Sequence, residues 1–229
     1  MEPIINTEYQ QIKVSSDEKL LKRRAAPQTV RILNKEFDEY MEMYNTSVQM
    51  NIENSDWLYD RIPENLEGKL EYKDLTWDFM FAAYYRLGMI AAVSEKVKNI
   101  LEELNVSKEE YTLKPIKIKG YDITYYLMFV SLISDEEILI KNSDIRFFEE
   151  PERKLPIETL EQVHEYDKHM NTYVFYKTMA LSKKFQARDI IYVLRATIYP
   201  HFSKRLIDAF EKNKVKGWEF FYESKLKFI

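Results

Sequence analysis

Three kinds of residue in this chain could do chemistry: histidines, serines placed ahead of helices, and a large set of carboxylates. His164, Asp167 and His169 stand together in the run HEYDKH. Two metal ligands on one helix face sit three or four residues apart. His164 and His169 are five apart and diverge, so a solvated or structural pair is expected. His201 follows Pro200 and reads as local structure. Ser94 and Ser203 each precede an amphipathic stretch. The G-x-S-x-G elbow of a serine nucleophile is missing, and each serine stands where a helix cap belongs, so capping is the expected role for both. There is no cysteine, which removes disulfides, thiolate zinc sites and thiol nucleophiles. Four scattered glycines cannot form a phosphate-binding loop. The 38 Asp and Glu residues offer many pairs, and none is set apart as an acid and its base. The expectation is a chain with no catalytic residue, no cofactor and no metal, and hence not an enzyme.

The elements that would position these residues follow from apolar spacing. Val30, Leu33, Phe37, Tyr40, Met41 and Tyr44 recur at helical intervals, so the spacing predicts a helix from Thr29 to Tyr44, with Thr29 as its cap. SVQMNIE alternates as a strand does. Residues 53–74 are polar and hold Pro63 and Gly68, which makes them the candidate boundary between an N-terminal part, 1–70, and a domain, 71–229. The two parts could also form one continuous domain. Trp77, Met80, Phe81 and Tyr84 fit one helical face. Residues 1–28 read as a loosely held arm ending in Lys22-Arg23-Arg24.

Two stretches share one plan. Around Ser94 an apolar run leads to a serine, an amphipathic helix, Asn105, Val106 and the strand-like YTLKPIKI. Around Ser203 the same order recurs, with Leu206 aligned to Val97, Phe210 to Leu101 and Val215 to Val106. Gly217 and Trp218 then turn into a last strand. Between them lie the apolar run Ile123–Ile133, short strand candidates at 138–140 and 145–148, a helix candidate after Pro156, and the β-rich runs TYVFYKTM and IIYVLRATIYP. The expected fold class is α+β, mainly antiparallel sheet with packed helices and two related helix–strand units.

Composition narrows the partners. Net charge is −4 across 229 residues, which speaks against nucleic-acid binding through bulk positive charge. No apolar run approaches the ~20 residues of a membrane span, and no signal-peptide pattern opens the chain, so no membrane contact and a cytoplasmic location are expected. The acidity is local: Asp135–Glu165 carries ten acids and four bases. Asp144, Phe147, Phe148, Glu149 and Glu150 lie within it and are the candidate partner-binding residues. An acidic, aromatic surface suits a basic protein.

Three motifs carry a resemblance. They are Val93-Ser94-Glu95-Lys96; Ser143-Asp144 through Phe148-Glu149-Glu150; and Ser203, Leu206, Ala209, Gly217 and Phe220 in the last segment. Over about 85–229 the chain resembles a family of immunity proteins from bacterial polymorphic toxin systems, first catalogued as a domain of unknown function. The chain departs from that family's pattern in having Glu-Glu after Phe148 and no small-residue turn before Ser203. The resemblance implies an inhibitor that binds a cognate toxin directly and occludes it, a toxin acting in the cytoplasm. A general protein-interaction scaffold and a divergent carboxylate-based enzyme are the alternatives. Which toxin is met, and the oligomeric state, are open at this level.

Overall fold

A computed structural model describes residues 8–15, 28–50, 61–72, 77–82, 89–169, 174–194, 196–221 and 225–229. Lys22-Arg23-Arg24, Tyr84, the end of SVQMNIE (51–53) and residues 53–60 and 73–74 of the polar connection lie outside them. In chain order the elements are β1 (Tyr9–Val14), β2 (Thr29–Ile32), α1 (Lys35–Met50), β3 (Leu66–Leu70), β4 (Phe79–Ala82), β5 (Met89–Ser94) and α2 (Glu95–Glu103). Then come β6 (Tyr111–Ile118), β7 (Thr124–Val130), β8 (Leu132–Ile133), β9 (Asp144–Phe147), α3 (Leu160–His169) and β10 (Val174–Leu181). The chain finishes with β11 (Ile190–Val193), β12 (His201–Ser203), α4 (Lys204–Lys212), β13 (Trp218–Phe220) and β14 (Lys225–Phe228). The class is mixed α+β.

Six strands close a barrel in the order β2-β3-β6-β7-β5-β4. Its interior is apolar, with Val30, Leu66, Leu70, Met80, Ile116, Leu127 and Phe129 packed together and α1 adding Phe37, Tyr40 and Met41. Gly68 lies in this interior because a Cβ there would stand 2.7 Å from Val30 Cγ1. A five-stranded sheet, β13-β1-β12-β11-β8, and a three-stranded sheet, β14-β10-β9, complete the fold. A second core joins α2 and α4 to the barrel and the five-stranded sheet through Val97, Leu101, Leu206 and Phe210. A third lies under the three-stranded sheet, with Ile145, Phe147, Tyr176, Leu181 and Val163 of α3.

Several sequence expectations are corrected. The helix near residue 30 begins at Lys35, and Thr29–Ile32 is a strand. Asn34 separates the two, its side-chain oxygen accepting the Glu67 N–H at 2.7 Å. The stripe that suggested one helix is a strand followed by a helix of the same length, begun six residues later. Residues 47–50 of the expected strand SVQMNIE end that helix. The expected helix after Trp77 is β4, paired with β2 and β5. A short aromatic run cannot be assigned by periodicity, and pairing partners decide it. The supposed arm contains β1, which lies inside the five-stranded sheet with Tyr9, Gln11 and Ile12 buried. Residues 138–140 make one isolated bridge, Ile138 to Leu181, and start a short 3-10 turn. Strands from both sides of residue 70 share the barrel, since β2 and β3 pair with β4 and β6, in line with the continuous arrangement the sequence also allowed.

The two stretches around Ser94 and Ser203 match in detail. β4 pairs with β5 through Phe79 and Val93, and β11 pairs with β12 through Ile190 and Phe202. The residue before each first strand is Asp78 or Asp189, whose carbonyl accepts the N–H of Ser94 or Ser203. Each helix ends with a left-handed residue, Asn105 (φ 52°) or Lys214 (φ 51°). The next amide, Val106 or Val215, returns to the carbonyl of Leu101 or Phe210 at 2.9 Å in both cases. Strand order agrees as well: β4-β5-β7-β6 in one unit, β11-β12-β1-β13 in the other. The N-terminal strand β1 therefore fills the position that β7 fills in the first unit.

Candidate functional site

The serines resolve into structural roles. Ser203 is fully buried at the start of α4; its Oγ donates to Asp189 Oδ1 at 2.5 Å and accepts the Leu206 N–H at 3.4 Å. The Arg205 guanidinium grips the same carboxylate through Nε at 2.7 Å and through Nη2, and its Nη1 reaches the Leu104 carbonyl. Ser94 departs from the expected cap. Its Oγ donates to Asp78 Oδ1 at 2.8 Å and makes no cap bond to its helix. Lys96 and the Lys216 amide complete the Asp78 site at 3.0 and 2.8 Å. Gly217 follows with φ +94°, where a Cβ would fall 2.1 Å from the Phe79 carbonyl oxygen. It is the turn into β13 and one of the points where the second unit touches the first.

Glu110 links the same two units from the other side. One of its oxygens accepts the N–H groups of Asp189 and Ile190 at 2.8 Å each. Burial pushes its carboxyl up to about 7, against the pull of those two amides. His164 Nε2 lies 2.9 Å from Asp135 Oδ2, a pair that joins the middle of α3 to the turn at Asp135–Glu137. Among the described residues no three His, Cys, Asp or Glu side chains converge to hold a metal ion.

The expected partner-binding residues divide. Phe147 is buried in the third core, edge-on to Tyr166 at 5.7 Å, so it supports the surface and does not present itself. Asp144 lies under Arg146, bonded at 2.8 and 3.0 Å, and that guanidinium holds its carboxyl below the usual range. Phe148 is 65% exposed, and Glu149 and Glu150 are exposed beside it, Glu150 paired with Arg153 at 3.2 Å.

The structure extends this patch into a trough. Phe148 meets Phe175 of β10 edge-on at 6.4 Å. Phe175 lines a hollow of about 530 Å³ with Pro151, Phe220 and Phe221, where Gln10, Glu152 and Lys177 supply the polar wall. Gln10 and Phe220 also line an adjoining hollow of about 180 Å³. Its other walls are Glu8, Lys204, Ile207, Asp208 and Glu211. The trough thus runs between the face of the three-stranded sheet and the end of the five-stranded sheet. Phe220 is 51% and Phe221 38% exposed, and Lys13 sits 5.5 Å over the Phe221 ring.

Phe175 and Phe221 are not singled out by sequence, and Phe220 enters there as a motif residue and not as a binding one. The signal was there in the aromatic-on-both-faces pattern of TYVFYKTM and WEFFY, since a two-layer packing can bury only one face of such a strand. Which face stays open depends on sheet order.

Among the described residues no helix is long and apolar enough to cross a membrane. Comparison with protein-family models and with curated proteins gives no match.

Proposed function

We propose that this protein is an immunity-type inhibitor, which binds a cognate toxin polypeptide directly and blocks its action. The observation that carries the reading is the exposed aromatic trough continuous with the acidic turn at Glu149–Glu152. Contiguous exposed apolar surface with a polar rim is the usual mark of a protein-binding site, and aromatic residues are enriched there. Two of the three motifs that resemble the immunity family reach the trough: Phe148 of the Asp144 segment meets its Phe175, and Phe220 of the Ser203 segment lines it. The matched strand order and hydrogen bonding of the two units support their being related copies, with the trough on the second. Binding in this reading needs no reacting group. The toxin acts in the cytoplasm and presents a basic face.

The test is coexpression with the polypeptide encoded beside this gene. A complex that survives size-exclusion chromatography, with protection of the host from that polypeptide, is expected. No complex and no protection would sink the reading. Within a complex, the double reversal Glu149→Lys, Glu150→Lys is expected to weaken binding at least tenfold at low salt, chiefly by slowing association. Unchanged affinity would remove the acidic rim from the interface and leave the inhibitor reading in place.

A further inference from the structure

We infer that the trough takes an extended segment of a partner protein with an apolar side chain in the larger hollow and an arginine or lysine in the smaller one. The inference rests on the reading of this protein as a binder of another polypeptide, and it names what is recognised. The two hollows differ in chemistry. In the larger one Glu152 and Lys177 offset each other in charge, so the rings of Phe175, Phe220 and Phe221 decide what enters. They favour an aromatic or aliphatic side chain. In the smaller one three carboxylates, Glu8, Asp208 and Glu211, face a single ammonium, Lys204. Lys204 already bonds Asp208 at 2.7 and 3.0 Å. Glu8 and Glu211 therefore leave an excess negative charge beside Ile207 and Phe220. That combination fits a long cationic side chain: the stem lies on Ile207 and the ring of Phe220, and the charged end meets Glu8 and Glu211. An acidic partner segment would meet like charge here.

The shared walls fix how the two side chains must be spaced. Gln10 and Phe220 border both hollows, so the hollows are immediate neighbours. In an extended segment, residues two apart point the same way about 7 Å from each other. The recognised pair is therefore an apolar and a basic side chain two residues apart in an extended strand, lying across the end of β1 and β13.

The probe is the blocked tripeptide acetyl-Phe-Gly-Arg-amide, titrated into the full 15N-labelled chain up to about 10 mM, the range in which a single short segment binds. Its control is acetyl-Phe-Gly-Glu-amide. Saturable shifts of the amides of residues 10, 175, 211 and 220 with the arginine peptide are expected, with at least fivefold weaker binding of the glutamate peptide. Glu211→Lys should abolish the difference between peptides, and Phe220→Ala should abolish both titrations, each variant melting as the parent does. Equal binding of the two peptides, shifts confined to another surface, or no saturable shift would overturn the inference. Failure of the toxin to form a complex overturns the inhibitor reading alone, because the peptide titration does not depend on it.

Discussion

Glu110 is the residue where charge, burial and architecture meet. It comes from the turn before β6, yet its carboxylate holds the amides of Asp189 and Ile190 at the head of β11. Those two amides favour the ionised form, and burial disfavours it more, so the group sits at about 7 and not at its ordinary 4.5. The sign follows. A carboxyl whose folded value is raised binds its proton more tightly in the native state than in the unfolded chain. Its contribution to stability is complete below about 4.5, falls as pH rises, and is lost above about 7. The loss amounts to roughly 3 kcal/mol at most. Glu110→Gln keeps an oxygen for both amides and cannot ionise. Urea midpoints at pH 5 and pH 8 should therefore differ clearly in the parent, after matching for ionic strength, and much less in the variant. An equal pH dependence in both would show that Glu110 is ionised throughout, with the amides overcoming burial.

At the scale of elements, two helices that look alike in sequence are anchored differently. α4 has a working cap, because the Ser203 hydroxyl both accepts the Leu206 amide and donates to the buried Asp189 carboxylate. α2 has Ser94 in the same place with its hydroxyl turned to Asp78, a carboxylate that also receives Lys96 and the Lys216 amide. Ser203→Ala removes the cap and strips a donor from a carboxylate that is otherwise held by Arg205. Its expected cost is about 2–3 kcal/mol, against less than about 1 kcal/mol for Ser94→Ala. Chemical denaturation of the two variants separates them, and equal losses would mean that the hydroxyls do the same work. The helix stripes, the left-handed Asn105 and the alignment of Leu206 with Val97 were all legible in the sequence, because they are local patterns. The second left-handed position was not: Lys214 takes it, one residue past Asn213, where residue type suggested the reverse. The strand status of Thr29–Ile32 and Phe79–Ala82 was hidden for another reason. Each run is only four residues long, and its identity is set by barrel partners far away in the chain.

For the whole molecule, the least legible feature is the position of β1. Nothing in YQQIKV says that it belongs between β12 and β13, nearly two hundred residues later, because antiparallel pairing leaves no local trace of its partner. Tyr9 faces Ser203, and Ile12 faces Phe220, in that order along the strand. The first unit obtains its equivalent strand, β7, from just downstream, so half of each unit could be read in sequence and the closing strand of the second could not. The trough depends on this connection. Glu8 stands just before β1, Gln10 on it, and Phe220 on β13, which pairs with β1 at the edge of the sheet. Removing residues 1–15 should leave the barrel closed, since none of its strands is lost, while β13 loses its one strand partner among the described residues. The truncated chain is then expected to melt in two steps, with Trp218 reporting the earlier one, and to lose the peptide titration. A synthetic peptide of residues 1–15, added in excess, should restore a single transition and the titration together, by mass action on the open position between β12 and β13. A truncated chain that melts in one step within a few degrees of the parent would refute the dependence of the second unit, and of its trough, on the N-terminal strand.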